Sequence, residues 1–190
     1  MKVLFLFLTL LFASPVRAQV LHDVAQYVPL GAAVGLEYCG VEACHPLRER
    51  VALTATAFTA LTGVAGVMKL TISEKRPDGS DWRSFPSGHA ARAFAGAELV
   101  RSEYGLEWGL AAYGVATVVG VMRVAGDHHY VHDVVAGAAV GVAAARLAYW
   151  LLPFERKVFG WESDAVSIAA LPTFQAETRS IGLSMTMMLH

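Results

Sequence analysis

The chain has 190 residues, of which 55% are hydrophobic and 16% charged, with a net charge of -1 and a mean hydropathy of +0.47. That length suits one domain with a real core, and a near-neutral chain without a basic stripe excludes a nucleic-acid partner. Soluble domains carry about a quarter charged residues, so this composition implies contact with a membrane or very apolar helices packed together.

The first predicted element is an export signal over residues 1–18. Lys2 gives a positive start, "VLFLFLTLLFA" an apolar core, and "VRA" the small residues of a cleavage site. The alternative is an uncleaved anchor, although the run is short for a membrane span. Cys39 and Cys44 follow in "CGVEAC". A close pair in an exported chain suggests a small disulfide loop, with two buried free thiols as the other reading.

The body, residues 19–157, is predicted to be all-α: a compact bundle of about five to six helices with the site at one end. Helices are expected at 24–38, 51–72, 89–104, 107–122 and 134–152, rich in small residues that let backbones approach closely. Residues 158–190 change character. "AVSIAALPTF" and "SIGLSMTMML" flank "QAETRS", and apolar residues alternate from Ile181 to Leu189, predicting a C-terminal β-hairpin.

Polar residues gather in the breaks between helices. "SFPSGH" breaks the chain with Pro86 and Gly88, and Ser87 is placed to cap the helix that follows. The same serine, beside fresh helix N–H groups and His89, also makes an anion site with a proton donor at hand. Lys69 closes one helix and Arg76-Pro77 follows after six residues. Arg123 ends another, with His129 six residues on and Asp133 four beyond. Three cations suit a phosphoryl group, whose transfer depends on positioning and charge stabilisation. Arginines can grip its oxygens with paired donors. If "HHYVHD" is helical, His129 and Asp133 share a face, and the carboxylate holds one ring nitrogen while the other attacks phosphorus. His89 is placed to protonate the leaving oxygen. The bland readings are solvated helix ends for Lys69 and Arg123 and a helix cap for Asp133.

The ordered set K-x6-R-P, P-S-G-H and R-x5-H-x3-D, over residues 69–133, resembles the PAP2 superfamily. This group includes type 2 phosphatidic acid phosphatases, bacterial class A acid phosphatases and vanadium haloperoxidases. Met122 stands where the family usually has serine. The resemblance implies a phosphohistidine intermediate, with His129 as nucleophile, Asp133 orienting it and His89 as acid. Lys69, Arg76, Ser87, Gly88 and Arg123 would bind phosphate, with no metal and no cofactor. His128 and His132 are read as supporting loop residues, Lys75 as solvated, and Trp82 and Arg83 as possible lining for the substrate mouth.

The expected function is a cell-envelope phosphatase acting on a phosphate monoester or pyrophosphate of a lipid. Phosphatidic acid, phosphatidylglycerol phosphate, undecaprenyl pyrophosphate and lipid A all present the required group. The rivals are a lipid phosphotransferase, a vanadium-dependent haloperoxidase, for which the chain is short, and a phospholipid-binding protein without turnover. Taken as spans, the helices put all three motifs on one side and Arg48, Arg50, Arg101, Arg156 and Lys157 on the other. That predicts an inner-membrane protein with a periplasmic site. A soluble periplasmic protein is the alternative, since most predicted segments are short for spans and Glu98 and Arg146 would lie inside them.

Overall fold

In a computed structural model of the chain, residues 23–161, 167–175 and 180–188 are described, and the predicted leader lies outside them. The chain divides into two compact units between Leu152 and Pro153. In order along the chain come α1 (Val28–Gly35), a 3-10 turn (Leu36–Cys39), α2 (Leu47–Thr71), α3 (Gly88–Tyr104), α4 (Leu106–Ala125) and α5 (Val131–Val158). The family-bearing part is thus helical throughout. In the second unit, β1 (Ser167–Gln175) pairs antiparallel with β2 (Ser180–Met188), Leu171 opposite Ser184.

Several predicted ends move. The single helix expected over 24–38 becomes α1 and the 3-10 turn, with Pro29 in the first turn of α1, where its missing N–H costs nothing. Helix α2 begins at Leu47, directly after Pro46, whose extended backbone sets the start. Charges at Arg48, Glu49 and Arg50 did not end the helix, because Arg50 turns inward to partners of its own. Helices α4 and α5 likewise outrun their predicted spans. At 25, 20 and 28 residues, α2, α4 and α5 are long and apolar enough to cross a membrane. The objection from short segments therefore falls for these three.

The core explains the order of the bundle. Helix α3 packs against α1, α2 and α4 and is buried on nearly every side, from Ala90 to Tyr104. Its neighbours bury single stripes at helical spacing: Leu53, Ala57, Leu61 and Ala65 on α2, and Ala112, Ala116, Val119 and Arg123 on α4. Their outward faces carry Val64, Val67, Leu70, Val118 and Val121 in the open. So much exposed apolar surface is unfavourable in water, but it suits lipid contact, since each helix satisfies its own backbone polar groups. This is a membrane protein.

Two glycines bring α5 against the start of α3. A Cβ at Gly137 would lie 2.3 Å from the Ser87 carbonyl oxygen, and one at Gly141 would lie 2.1 Å from that of Ala91. Only glycine permits backbones this close. The Asp133 end of α5 is thereby held beside the Pro-Ser-Gly-His turn. Cys39 and Cys44, predicted as a disulfide loop, are instead two exposed free thiols.

Candidate active site

The three sequence segments meet at one end of the helical unit, sewn together by backbone bonds. Ser87 N–H donates to the Asp133 carbonyl at 3.0 Å, and Asp78 N–H donates to the Asp127 carbonyl at 2.9 Å. Ser87 caps α3, its hydroxyl accepting from Ala90 N–H at 3.5 Å. The start of α3 leaves its first amides, including that of Gly88, without intrahelical acceptors; Ser87 satisfies that of Ala90, and the rest favour an anion there.

His129 and Asp133 lie at the centre, both almost fully buried. His129 precedes α5 and lies in the turn after α4, so the two do not share a helical face as predicted. They meet because the turn folds back: His129 N–H donates to the Arg123 carbonyl at 3.2 Å. His129 Nδ1 lies 3.4 Å from Asp133 Oδ2. The same oxygen accepts from Tyr130 N–H at 2.9 Å, a bond that closes the first turn of α5. Both readings of Asp133, cap and histidine partner, therefore hold in one carboxylate. Ser84, fully buried, donates its hydroxyl to Asp133 Oδ2 and lies 3.4 Å from His129 Nδ1.

The cations surround this pair. Burial first, and then the charges of Arg76, Arg123 and Lys69, push the His129 imidazole well below its usual range, while Asp133 partly offsets them. That shift favours the uncharged imidazole. Lys69 Nζ donates to the Arg83 carbonyl at 2.8 Å, and Arg76 Nε to Asp81 Oδ1 at 2.9 Å. Arg123 is 6% exposed, and its Nε has no hydrogen-bond partner among the described residues. A buried guanidinium donor without a partner is costly unless a ligand completes it. His89, at the start of α3, presents Nε2 to Asp23 Oδ1 at 3.0 Å. All eight predicted site residues thus lie at this end.

Sequence reasoning missed three neighbours. Ser84 was in the quoted turn but was given no role. Arg92 reaches back beside Gly88, held by Gln26 and over the Tyr27 ring at 5.8 Å. Its signal was its spacing, one helical turn beyond Gly88. Asp23 lies outside the three segments and carried no local signal. His132, read as a supporting residue, bonds Glu74 Oε1 at 2.7 Å and stacks on Tyr130 with ring centroids 5.4 Å apart. Glu74, His132 and Asp133 place potential ligand atoms within 4.8 Å of one another. His128 bonds Asp78 at 3.1 Å. Trp82 is exposed, with the Lys75 ammonium 5.8 Å from its ring centroid.

A family model described as the PAP2 superfamily matches residues 50–157, more than half of the chain. The chain belongs to the PAP2 superfamily. Among PAP2 relatives, the lipid A 1-phosphatase of Porphyromonas gingivalis is 33% identical over 135 residues, covering 69% of this chain and 30% of that protein. The lipid A 4'-phosphatase of Helicobacter pylori is 34% identical over 73 residues, 38% of this chain and 37% of that one. The chain therefore spans well under half the length of either relative. The crystal structure of Aquifex aeolicus LpxE superimposes with a TM-score of 0.56 at 21% identity, covering 77% of this chain and 94% of that one. At that identity the likeness concerns the PAP2 fold.

Proposed function

We propose that this PAP2 protein is a membrane-bound lipid phosphatase working through a phosphohistidine on His129. The observation that carries this reading is the buried His129 ring, turned by Nδ1 towards Asp133 and set among Lys69, Arg76 and Arg123, whose charges lower its pKa. Burial and the Arg123 charge lower the His89 pKa to about 4 in the free site, and the negative charge of a bound phosphate raises it again. His129 Nε2 then attacks phosphorus, the bond from phosphorus to the ester oxygen breaks, and His89 gives the proton so acquired to the leaving oxygen. Water then attacks the phosphohistidine while His89 takes a proton from it, releasing inorganic phosphate and restoring both rings. The cations neutralise the equatorial oxygens in each step, with Ser87 and the Gly88 amide completing the cradle.

A lipid substrate is supported by an apolar groove on the same two helices that carry Arg123 and Asp133. The groove, of about 350 Å³, is lined by Phe94, Val121, Val124, Val131 and Val135 among others. Val124 follows Arg123 directly in the chain, and Val131 lies two residues beyond His129. The groove's polar resident, Thr117, spends its hydroxyl on the Tyr113 carbonyl at 2.8 Å. A phosphate held at Arg123 would leave an attached acyl chain beside this groove. The names of the two relatives make lipid A phosphate the first substrate to try. The leader, and the grouping of Arg48, Arg50 and Arg101 at the helix ends away from the motifs, support an inner-membrane protein with a periplasmic site.

The test is phosphate release by the purified full chain from lipid A, phosphatidic acid, phosphatidylglycerol phosphate and undecaprenyl pyrophosphate, with His129→Ala as control. Release from at least one lipid, lost in the variant, is expected. Release from none overturns the reading. Transfer of the phosphate to a second lipid in place of water would favour the phosphotransferase.

A further inference from the structure

We infer that Ser84 is a positioning residue that fixes the tautomer and direction of the His129 ring. This rests on the proposed role of His129. The Ser84 hydroxyl is the nearest polar group that touches both members of the pair: it donates to Asp133 Oδ2 and lies 3.4 Å from His129 Nδ1. The direct separation of His129 Nδ1 from Asp133 Oδ2 is also 3.4 Å, so the ring nitrogen has two polar contacts of equal, long separation. The Nδ1–H therefore faces two acceptors at equal distance, the carboxylate and the serine oxygen. Ser84 donates its own proton to the carboxylate, so its lone pairs are left to accept from the imidazole. The sequence of donors runs from His129 Nδ1–H to Ser84 Oγ to Asp133 Oδ2.

This arrangement does two things that the carboxylate alone does not. It supplies a neutral acceptor that requires the proton on Nδ1, which leaves Nε2 unprotonated and aimed at phosphorus. It also restrains the carboxylate. Asp133 Oδ2 is held from opposite sides by Ser84 O–H and Tyr130 N–H, while Oδ1 is buried without a hydrogen bond and has His132 Nε2 at 3.2 Å. Ser84 is 0% exposed, and its backbone N–H is fixed by the Glu74 carbonyl at 3.0 Å, so the hydroxyl is delivered from a rigid strap. A buried hydroxyl costs stability unless bonded, and here its bond goes to Asp133 with His129 Nδ1 as its other polar contact.

The experiment compares the wild-type full chain in detergent with Ser84→Ala, Ser84→Thr and Ser84→Cys. Kinetics are measured on a lipid phosphate and on a water-soluble aryl phosphate, with the thermal midpoint and the ¹⁵N shifts of the His129 ring. Ser84→Ala should lower kcat about 10- to 100-fold on both substrates, the usual effect of removing a group that orients a reacting histidine. KM should change less than about twofold and the midpoint should hold. Ser84→Thr, which keeps the hydroxyl, should restore most of the rate. The ¹⁵N spectrum should pass from one Nδ1–H tautomer to a mixture in Ser84→Ala, with Ser84→Cys between. Unchanged kcat in Ser84→Ala, or a single Nδ1–H tautomer retained there, overturns the inference. So does a loss of rate that tracks a loss of thermal stability and is not restored by threonine. If Ser84→Ala fails to fold, the cysteine and threonine variants decide by the same tautomer readout. That readout needs no turnover, so it remains decisive for Ser84 even where the wild type releases no phosphate, the outcome that overturns the function reading instead.

Discussion

The two ends of the helical unit both bury charge, and they treat it in opposite ways. At the end away from the motifs, Arg50 is bonded to Glu37, to Tyr104 and to the Val34 carbonyl. Glu103 accepts from His45 Nδ1 at 2.9 Å and from Tyr149. Glu98 binds Arg101 at 2.8 Å, together with Arg146 and the Tyr113 hydroxyl. Opposite charges meet there, and the helices are pinned by them. At the motif end, Lys69, Arg76 and Arg123 all bear on one buried histidine, with Asp133 partly offsetting them and Arg76 paired with Asp81. Cations met one by one by carboxylates pin the fold, whereas three cations gathered on one histidine suit an incoming anion.

The sharpest way to break that comparison is to remove one arginine from each end. Arg123→Ala should lower kcat/KM roughly 1,000-fold, about 4 kcal/mol of transition-state stabilisation, while leaving the thermal midpoint equal or higher. Arg50→Met should do the reverse, costing roughly 2 kcal/mol of stability through the hydrogen bonds lost to Glu37, Tyr104 and the Val34 carbonyl, with kcat/KM nearly intact in the folded fraction. Paired melts and kinetics read both, and equal losses of stability at the two ends would erase the distinction.

A smaller effect tests the groove. Val121→Trp fills it with a bulky ring, which should lower kcat/KM about 10-fold on a long-chain lipid phosphate, or about 1.4 kcal/mol. Turnover of a water-soluble aryl phosphate should be unchanged, because the cradle is untouched. Equal loss on both substrates would place the acyl chain elsewhere. The smallest effect is the one expected from a chelator. With the cations supplying the positive charge, activity should stay within about twofold after exhaustive EDTA treatment. Loss restored by added magnesium or zinc would give the Glu74, His132 and Asp133 cluster a catalytic role.

The site was more legible in the sequence than the helices that carry it. Lys69, Arg76, Ser87, His89, Arg123, His129 and Asp133 are spaced by fixed counts, so a linear reading finds them without knowing how the chain turns. The geometry behind the count was misread for His129 and Asp133, which meet across a turn and not along a helix. Ser84 was invisible for a different reason. Its contact with Asp133 exists only because Gly137 and Gly141 let α5 settle on α3, and that approach is a property of the packed bundle. Helix ends went astray for a related cause. Arg50 lies before the expected start at 51, and only its buried partners show why the helix takes it in. The apolar stretches gave the number and order of the main helices, because burial and lipid exposure both demand them.

The central claim is that phosphate passes through His129, and the direct measurement is to trap it there. The full chain is mixed with a ³²P-labelled lipid phosphate, quenched within the first turnover in alkali, where phosphohistidine survives and acyl phosphate does not, and mapped by proteolysis. The account expects label on the peptide containing His129, lost on brief acid treatment, absent from His129→Ala, and still formed by His89→Ala from an activated ester whose leaving group needs no proton. Phosphate released at the normal rate by His129→Ala, or label retained on any other residue, would contradict it.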